Sequence, residues 1–302
     1  MDTSNSEIRH SDHSASSPLK TALVIVLVVM IAEVIGGILS NSLALISDAG
    51  HMFTDALALG LGLFAINMAK KPATEKKTFG YYRAEIMAAL ANGTILILIA
   101  VYIFYEAYQR FFETSPVNAT TMLLIGGIGL IANLAGIFLL RKESHKSLNI
   151  KAAFWHIIGD TLSSIGVMIA GVIILATGWY VVDPIIAVII GCVILWGAIR
   201  IVKEATDILL ESVPKHIQVE KVILTVKDIP GVQDLHDVHI WTITSGVYAI
   251  SAHLRIEDQT VSQSTEIVSA VNRLLTKDFS ISHTTLQLEC KSCPTGLACN
   301  LP

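Results

Sequence analysis

Two stretches of this 302-residue chain carry the same pair of metal-binding side chains at the same spacing. Ser47-Asp48-Ala49-Gly50-His51-Met52-Phe53-Thr54-Asp55 and Phe154-Trp155-His156-Ile157-Ile158-Gly159-Asp160 each contain H-x-x-x-D. Positions i and i+4 stack on one face of a helix, so each segment predicts an imidazole and a carboxylate side by side. Two His and two carboxylates make four ligands, the number a tetrahedral zinc site takes. Nitrogen and oxygen donors suit Zn²⁺ or Co²⁺ better than Mg²⁺ or Ca²⁺, which take more oxygens. A single such pair could as well be a buried His–Asp hydrogen bond tying two helices together. Recurrence of one spacing in two separate apolar stretches favours a shared ion.

The same groups imply a mechanism. Imidazole binds metal only when neutral, so metal entry expels protons and protonation expels metal. Histidine ordinarily titrates near pH ~6.5, so modest local fields switch such a site across physiological pH. A site that trades a divalent ion for protons and opens to alternate sides is an antiporter. Two further acids lie in apolar surroundings. Asp48 sits one turn before His51 on the same stripe and could relay protons, support the site or face water; Glu33 is open to a proton or a packing role.

The elements that must position these residues are membrane helices. Residues of the AVILMFWYC set make up 53% of the chain and charged residues 15%, against about 25% in soluble domains. Charges are sparse over 21–206 and ordinary from 207 on. Six apolar stretches, near 21–39, 43–69, 86–108, 119–140, 152–177 and 182–202, are long enough to cross ~30 Å of hydrocarbon. An ionisable group in hydrocarbon costs about 2.5–3.5 kcal/mol on insertion scales, so the four ligands are expected to face one another or an aqueous cavity. Basic residues fall on one side: Arg9 and Lys20, Lys70–Lys77 with Arg83, Arg141–Lys151, and Arg200 with Lys203. Six spans with both termini in the cytoplasm satisfy this bias. The net charge of −4, with no basic block beyond Lys70–Lys77, argues against nucleic-acid binding. The polar N-terminus (Asp2, Glu7, Arg9, Asp12) is no signal-peptide n-region.

Beyond residue 207 the periodicity changes. A helix over 216–227, strands over 235–243 and 247–256, a helix over 262–276 and a strand over 283–289 predict the order αββαβ of a small ferredoxin-like α+β domain. Val268, Val271, Leu274 and Leu275 are expected to face its core. The domains are thus a polar tail over 1–20, a six-helix transmembrane bundle over 21–206, the α+β domain over 207–289 and a Cys-containing tail over 290–302. A second histidine set, His236, His239, His253 and His283, lies near strand starts. His236 and His239 are an odd number apart, so a regular strand points them to opposite faces. Cys290-x-x-Cys293 follows the last strand and could add thiolate ligands; with Cys299 it suggests metal or redox chemistry in a reducing compartment.

At Asn41–Asp55, Phe79–Glu85 (F-G-Y-Y-R-A-E), His156–Asp160, Leu235–Trp241 (L-H-D-V-H-I-W) and His283–Glu289 (H-T-T-L-Q-L-E) the chain resembles the cation diffusion facilitator family of zinc transporters. The resemblance implies a homodimer in a lipid bilayer, with six transmembrane helices per subunit and a cytoplasmic ferredoxin-like domain at the dimer contact. It implies proton-coupled export of Zn²⁺, with His51, Asp55, His156 and Asp160 as transport ligands. It also implies regulatory zinc at His236, His253 and His283, with His239 and Glu289 beside them. The short 141–151 loop, with only His145, leans toward a bacterial-type protein of the inner (cell) membrane, with an organelle membrane as the alternative. An ion pair between Arg83 and Glu211 is expected by charge sign and similarity. Cd²⁺, Co²⁺, Mn²⁺ or Fe²⁺ as the cargo is the nearest alternative, and a protein that binds metal without transporting it is another. An intramembrane metallohydrolase would need H-E-x-x-H, which does not occur, so no enzyme is expected.

Overall fold

The computed structural model describes residues 12–69, 71–141 and 148–290. Six long helices come first: α1 (Asp12–Ser40), α2 (Leu43–Ala69), α3 (Arg83–Phe112), α4 (Ala119–Arg141), α5 (Leu148–Thr177) and α6 (Val182–Leu209). Among the described residues, Arg83–Phe112, Ala119–Phe138, Ile157–Thr177 and Val182–Leu209 are long and apolar enough to cross a membrane, and Val26–Ser40 is a shorter apolar helix. Helix α2 is of similar length and carries the acids and histidine of the first motif. Asn41 makes the tight α1–α2 turn at φ 56°, a left-handed conformation that Asn tolerates.

The chain forms two compact units, one from the chain up to Leu63 with Ala91–Val202, the other from Phe64–Leu90 with the chain from Lys203 onward. The first inverts the soluble pattern. Bulky residues such as Ile38, Leu98, Leu124, Ile131, Phe138 and Trp196 are exposed, whereas Ala44, Ala100, Ala170, Ala187 and Ala198 are fully buried. Lipid tails are as apolar as leucine, so bulky side chains can face outward, while alanines at the contacts let helices approach closely beside buried Leu43, Leu45, Ile103 and Met122. Gly171 of α5 shows the requirement: a Cβ there would lie 2.7 Å from Leu123 of α4.

One polar knot fixes the start of α2. Asp183, fully buried at the start of α6, accepts hydrogen bonds from Ser42 Oγ (2.6 Å), Leu43 N (2.7 Å) and Ala44 N (3.2 Å). It thus satisfies backbone donors that a helix N-terminus otherwise leaves orphaned, and its charge suits the positive end of the helix dipole. Arg110 of α3 stands 3.5 Å from Asp183 and donates to the Asn41 carbonyl (2.7 Å) and to Glu106 (3.0 Å).

In the second unit the order is α7 (Val219–Lys227), β1 (Val232–Thr244), β2 (Val247–Ile256), α8 (Val261–Phe279) and β3 (Ile281–Glu289). Strand β1 pairs antiparallel with β2, which pairs parallel with β3 across the α8 crossover, giving the expected α+β domain. Thr260 and Gln263 form a capping box at the start of α8, and Ser280 ends it in the left-handed conformation. The core gathers Val222, Val226, Leu235, Ile240, Ile250, Leu254, Val271, Leu275 and Ile281, with Leu274 packed against it. Val268, expected inward, is only half-buried; Ile267 packs on the core instead.

The expectation that His236 and His239 face opposite ways is corrected by a bulge. His236 pairs with His253 and His239 with Ser251, so three steps on β1 match two on β2. Asp237 takes up the extra residue at φ 50°. A bulge shifts the alternation by one, and both histidines fall on the face that carries His253.

Candidate metal centres

In the first unit α2 and α5 bring the two motifs together. His51 Nε2 lies 3.5 Å from Asp160 Oδ1, with Asp160 buried and His51 half-buried. Asp55 lies one turn after His51 on α2 and His156 one turn before Asp160 on α5; their side chains lie outside those described. Behind His51, buried Asp48 accepts hydrogen bonds from Ser163 and from Ser164 (3.1 Å), and Asn133 of α4 donates to Ser164 (3.2 Å). The serines follow Asp160 by three and four positions, so they share its helix face. That spacing is a readable signal for a polar wall beside the two motifs, one that attention to the acids alone misses.

In the second unit His236, His253 and Glu289 come within 4.8 Å of one another through one potential ligand atom each. Glu289 Oε2 lies 3.2 Å from His236 Nε2, and Glu289 Oε1 2.9 Å from His253 Nδ1. Both ring nitrogens of His236, His253 Nδ1 and Glu289 Oε2 are buried and make no hydrogen bond. Converging, desolvated donors without hydrogen bonds fit a cation that accepts two nitrogens and a carboxylate oxygen, as zinc does. Asp237, which sits between two histidines and is not among the expected ligands, stands 3.4 Å from His253 Nε2 and 3.2 Å from His239 Nε2. Asp234 lies 3.7 Å from His236 Nδ1. Partial burial pushes the Asp234 carboxyl up, but hydrogen bonding and charge from Lys227, 3.1 Å away, outweigh that and hold it below the usual carboxylate range. Such second partners orient ligand imidazoles.

His239 is exposed and stands outside the trio. His283 is not brought to it either. Parallel pairing sets Gln287 beside His253 and His283 beside Ala249, four residues or about 13 Å along the strand. The His283 ring instead meets Phe79, with centroids 5.3 Å apart. Cys290 is exposed at the end of β3; Cys293 and Cys299 lie outside the described residues. Replacing Glu289 by Gln is expected to weaken Zn²⁺ binding at this trio by at least about tenfold, measured by calorimetry on the full chain.

Arg83 and Glu211 pair at 2.8 Å, with both side chains substantially exposed. Exposed pairs contribute about 0–1 kcal/mol, so the pair adds little to stability. Arg83→Glu and Glu211→Arg singly are expected to lower transport by setting like charges together, and the double reversal to restore it. A double variant no better than either single one counts against the pair. Glu85, two residues on, accepts hydrogen bonds from Thr244 and from Ser245 (2.9 Å) at the β1–β2 turn.

The family model for the cation efflux transmembrane domain matches residues 19–210, and that for the cation efflux protein cytoplasmic domain matches 199–291. The chain belongs to the cation efflux family. A cadmium, cobalt and zinc/H(+)-K(+) antiporter of Bacillus subtilis is 41% identical over 93% of this chain and 91% of its own length. The metal cation efflux system protein CzcD of Cupriavidus metallidurans is 41% identical over 91% of this chain and 87% of its own. Zinc transporter ZitB of Pectobacterium atrosepticum is 38% identical over 94% and 88%. The solved metal-bound C-terminal domain of the CzcD transporter is 32% identical, covers 24% of this chain and 99% of that one, and has a TM-score of 0.22. This cation efflux protein is a cation diffusion facilitator, a multi-pass transporter of the bacterial-type inner membrane, and not an enzyme.

Proposed function

We propose that this cation efflux protein exports Zn²⁺ from the cytoplasm in exchange for protons, through an intramembrane site of His51, Asp55, His156 and Asp160. The observation that carries the reading is the approach of His51 to Asp160 across α2 and α5. With His51 and Asp160 side by side, i+4 spacing puts the second member of each motif on the same helix face. Two carboxylates balance the dication, and two neutral imidazoles supply softer donors that favour zinc over magnesium. Protonating the imidazoles removes their lone pairs and adds two positive charges, which drives the metal off.

The rest of the arrangement follows the same reading. Residues 21–206 span the membrane six times with both termini cytoplasmic, in line with the basic loops on one side. Residues 207–289 form the cytoplasmic domain, residues 290–302 a tail, and two subunits pair through the cytoplasmic domain. His236, His253 and Glu289 bind regulatory zinc. The relatives' names include cadmium and cobalt beside zinc, and an N₂O₂ set takes all three; zinc is the proposed cargo because nitrogen and oxygen donors suit it better than the softer cadmium.

Uptake of radioactive Zn²⁺ by proteoliposomes under an imposed pH gradient tests the proposal. Uptake should follow the proton gradient and collapse with a protonophore. Zinc binding without gradient-driven uptake would leave a metal-binding protein that does not transport; preference for Cd²⁺ or Co²⁺ under the same gradient would change the cargo but not the mechanism.

A further inference from the structure

Of the buried acids described in the first unit, Glu33 is unlike Asp48, Asp160 and Asp183. Glu33 of α1 has no exposed surface, and neither carboxyl oxygen has a hydrogen-bond partner. Its head lies against Gly129 of α4, where any side-chain carbon would collide with Oε1, so the space is shaped for this carboxyl. The charges that act on it are the carboxylates of Asp48 on α2 and Asp160 on α5, and α4 carries no titratable residue over Ala119–Phe138. Asp48 has two serine hydroxyls to solvate a negative charge, and Asp160 has His51. Glu33 has no donor. A buried carboxylate with no donor and two acidic neighbours is disfavoured against the neutral acid.

We propose that Glu33 is a proton-carrying site of the transport cycle, separate from the metal ligands. The inference rests on the Zn²⁺/H⁺ exchange proposed above and names one of the groups that holds the exchanged protons. The carrier starts the cycle as the neutral acid, buried against Gly129. When a dication arrives from the cytoplasm between α2 and α5, the Glu33 O–H bond breaks and its proton leaves to cytoplasmic water; the carboxylate left behind offsets part of the incoming charge. After the metal departs on the other side, the carboxylate takes a proton from water there. One proton thus moves inward for each ion moved outward, in addition to those carried by the imidazoles.

The test measures Zn²⁺ and proton fluxes together in proteoliposomes holding wild-type protein, Glu33→Gln or Glu33→Asp. Glu33→Gln should lower the proton-to-zinc ratio by one and flatten the dependence of flux on pH, while Glu33→Asp restores the ratio. Difference infrared spectra of wild-type protein with labelled glutamate give a second reading that needs no variant: a protonated carboxyl band should vanish on adding Zn²⁺. If wild-type vesicles move Zn²⁺ with no proton counter-flow, the exchange mechanism itself fails. If wild type counter-flows but Glu33→Gln keeps its full ratio, or the carboxyl band is unchanged by Zn²⁺, Glu33 is not a carrier and the exchange mechanism stands.

Discussion

Replacing Asp160 with alanine is expected to abolish metal flux, a loss of more than about 100-fold. Removing only an outer partner of a metal ligand costs on the order of 10–100-fold in affinity, and Asp160 is proposed as a ligand itself. Its loss takes one of two charges that balance the dication and leaves His51 without the carboxylate 3.5 Å away. Three ligands in a low-dielectric setting then face a net charge that hydrocarbon solvates poorly. Asp160→Asn keeps the shape and removes the charge, so it separates electrostatics from packing and should fail almost as completely. Ser164 donates to Asp48 and not to a proposed ligand, so Ser164→Ala should reduce flux far less. Wild-type radioactive zinc uptake by Asp160→Ala would sink the four-ligand site.

The second large effect concerns residues that never touch the ion. Asp183→Ala strips the acceptor from Ser42 Oγ, Leu43 N and Ala44 N, all buried, and takes one anion from Arg110. Each buried donor left unsatisfied costs about 1–3 kcal/mol, so the expected loss of stability is roughly 3 kcal/mol or more. His51 lies eight residues along α2 from Leu43, about 12 Å at the helical rise, so loosening that end moves the proposed ligand as well. The expected result is a lowered thermal midpoint in detergent together with weakened flux. Asp183→Asn retains one acceptor oxygen and should fall between alanine and wild type. A bulky apolar replacement of Asp183 is no test, since it adds a shape mismatch to the lost hydrogen bonds; unchanged stability in Asp183→Ala would show that the knot does not hold α2.

Much of the architecture is legible in the chain because it is local. Hydrocarbon demands about 20 apolar residues per crossing, and charge spacing along the chain marks where each stretch ends. The turn of the α1–α2 hairpin lies in Ser40-Asn41-Ser42, and the αββαβ order follows from periodicity switching between helix and strand. Helical stacking makes both H-x-x-x-D pairs readable without coordinates, since i and i+4 share a face in any helix.

What spacing could not supply was partnership between distant residues. Asp183 belongs to no motif, and its value comes from meeting residues 139–141 positions away. The pairing of Ser163 and Ser164 with Asp48 is of the same kind, as is the isolation of Glu33 from any donor. In the soluble unit, alternation argues that His236 and His239 diverge, but one extra residue at Asp237 reverses the parity. Strand register then chooses Glu289 for the company of His236 and His253 and leaves His283 against Phe79. Sequence alone determined which residues carry metal-ligating side chains and which segments are apolar helix, soluble helix or strand, because those depend on composition and on periods of a few residues. Tertiary structure alone decided which of those residues meet, because register, bulges and helix packing answer to the burial and hydrogen bonding of the whole chain.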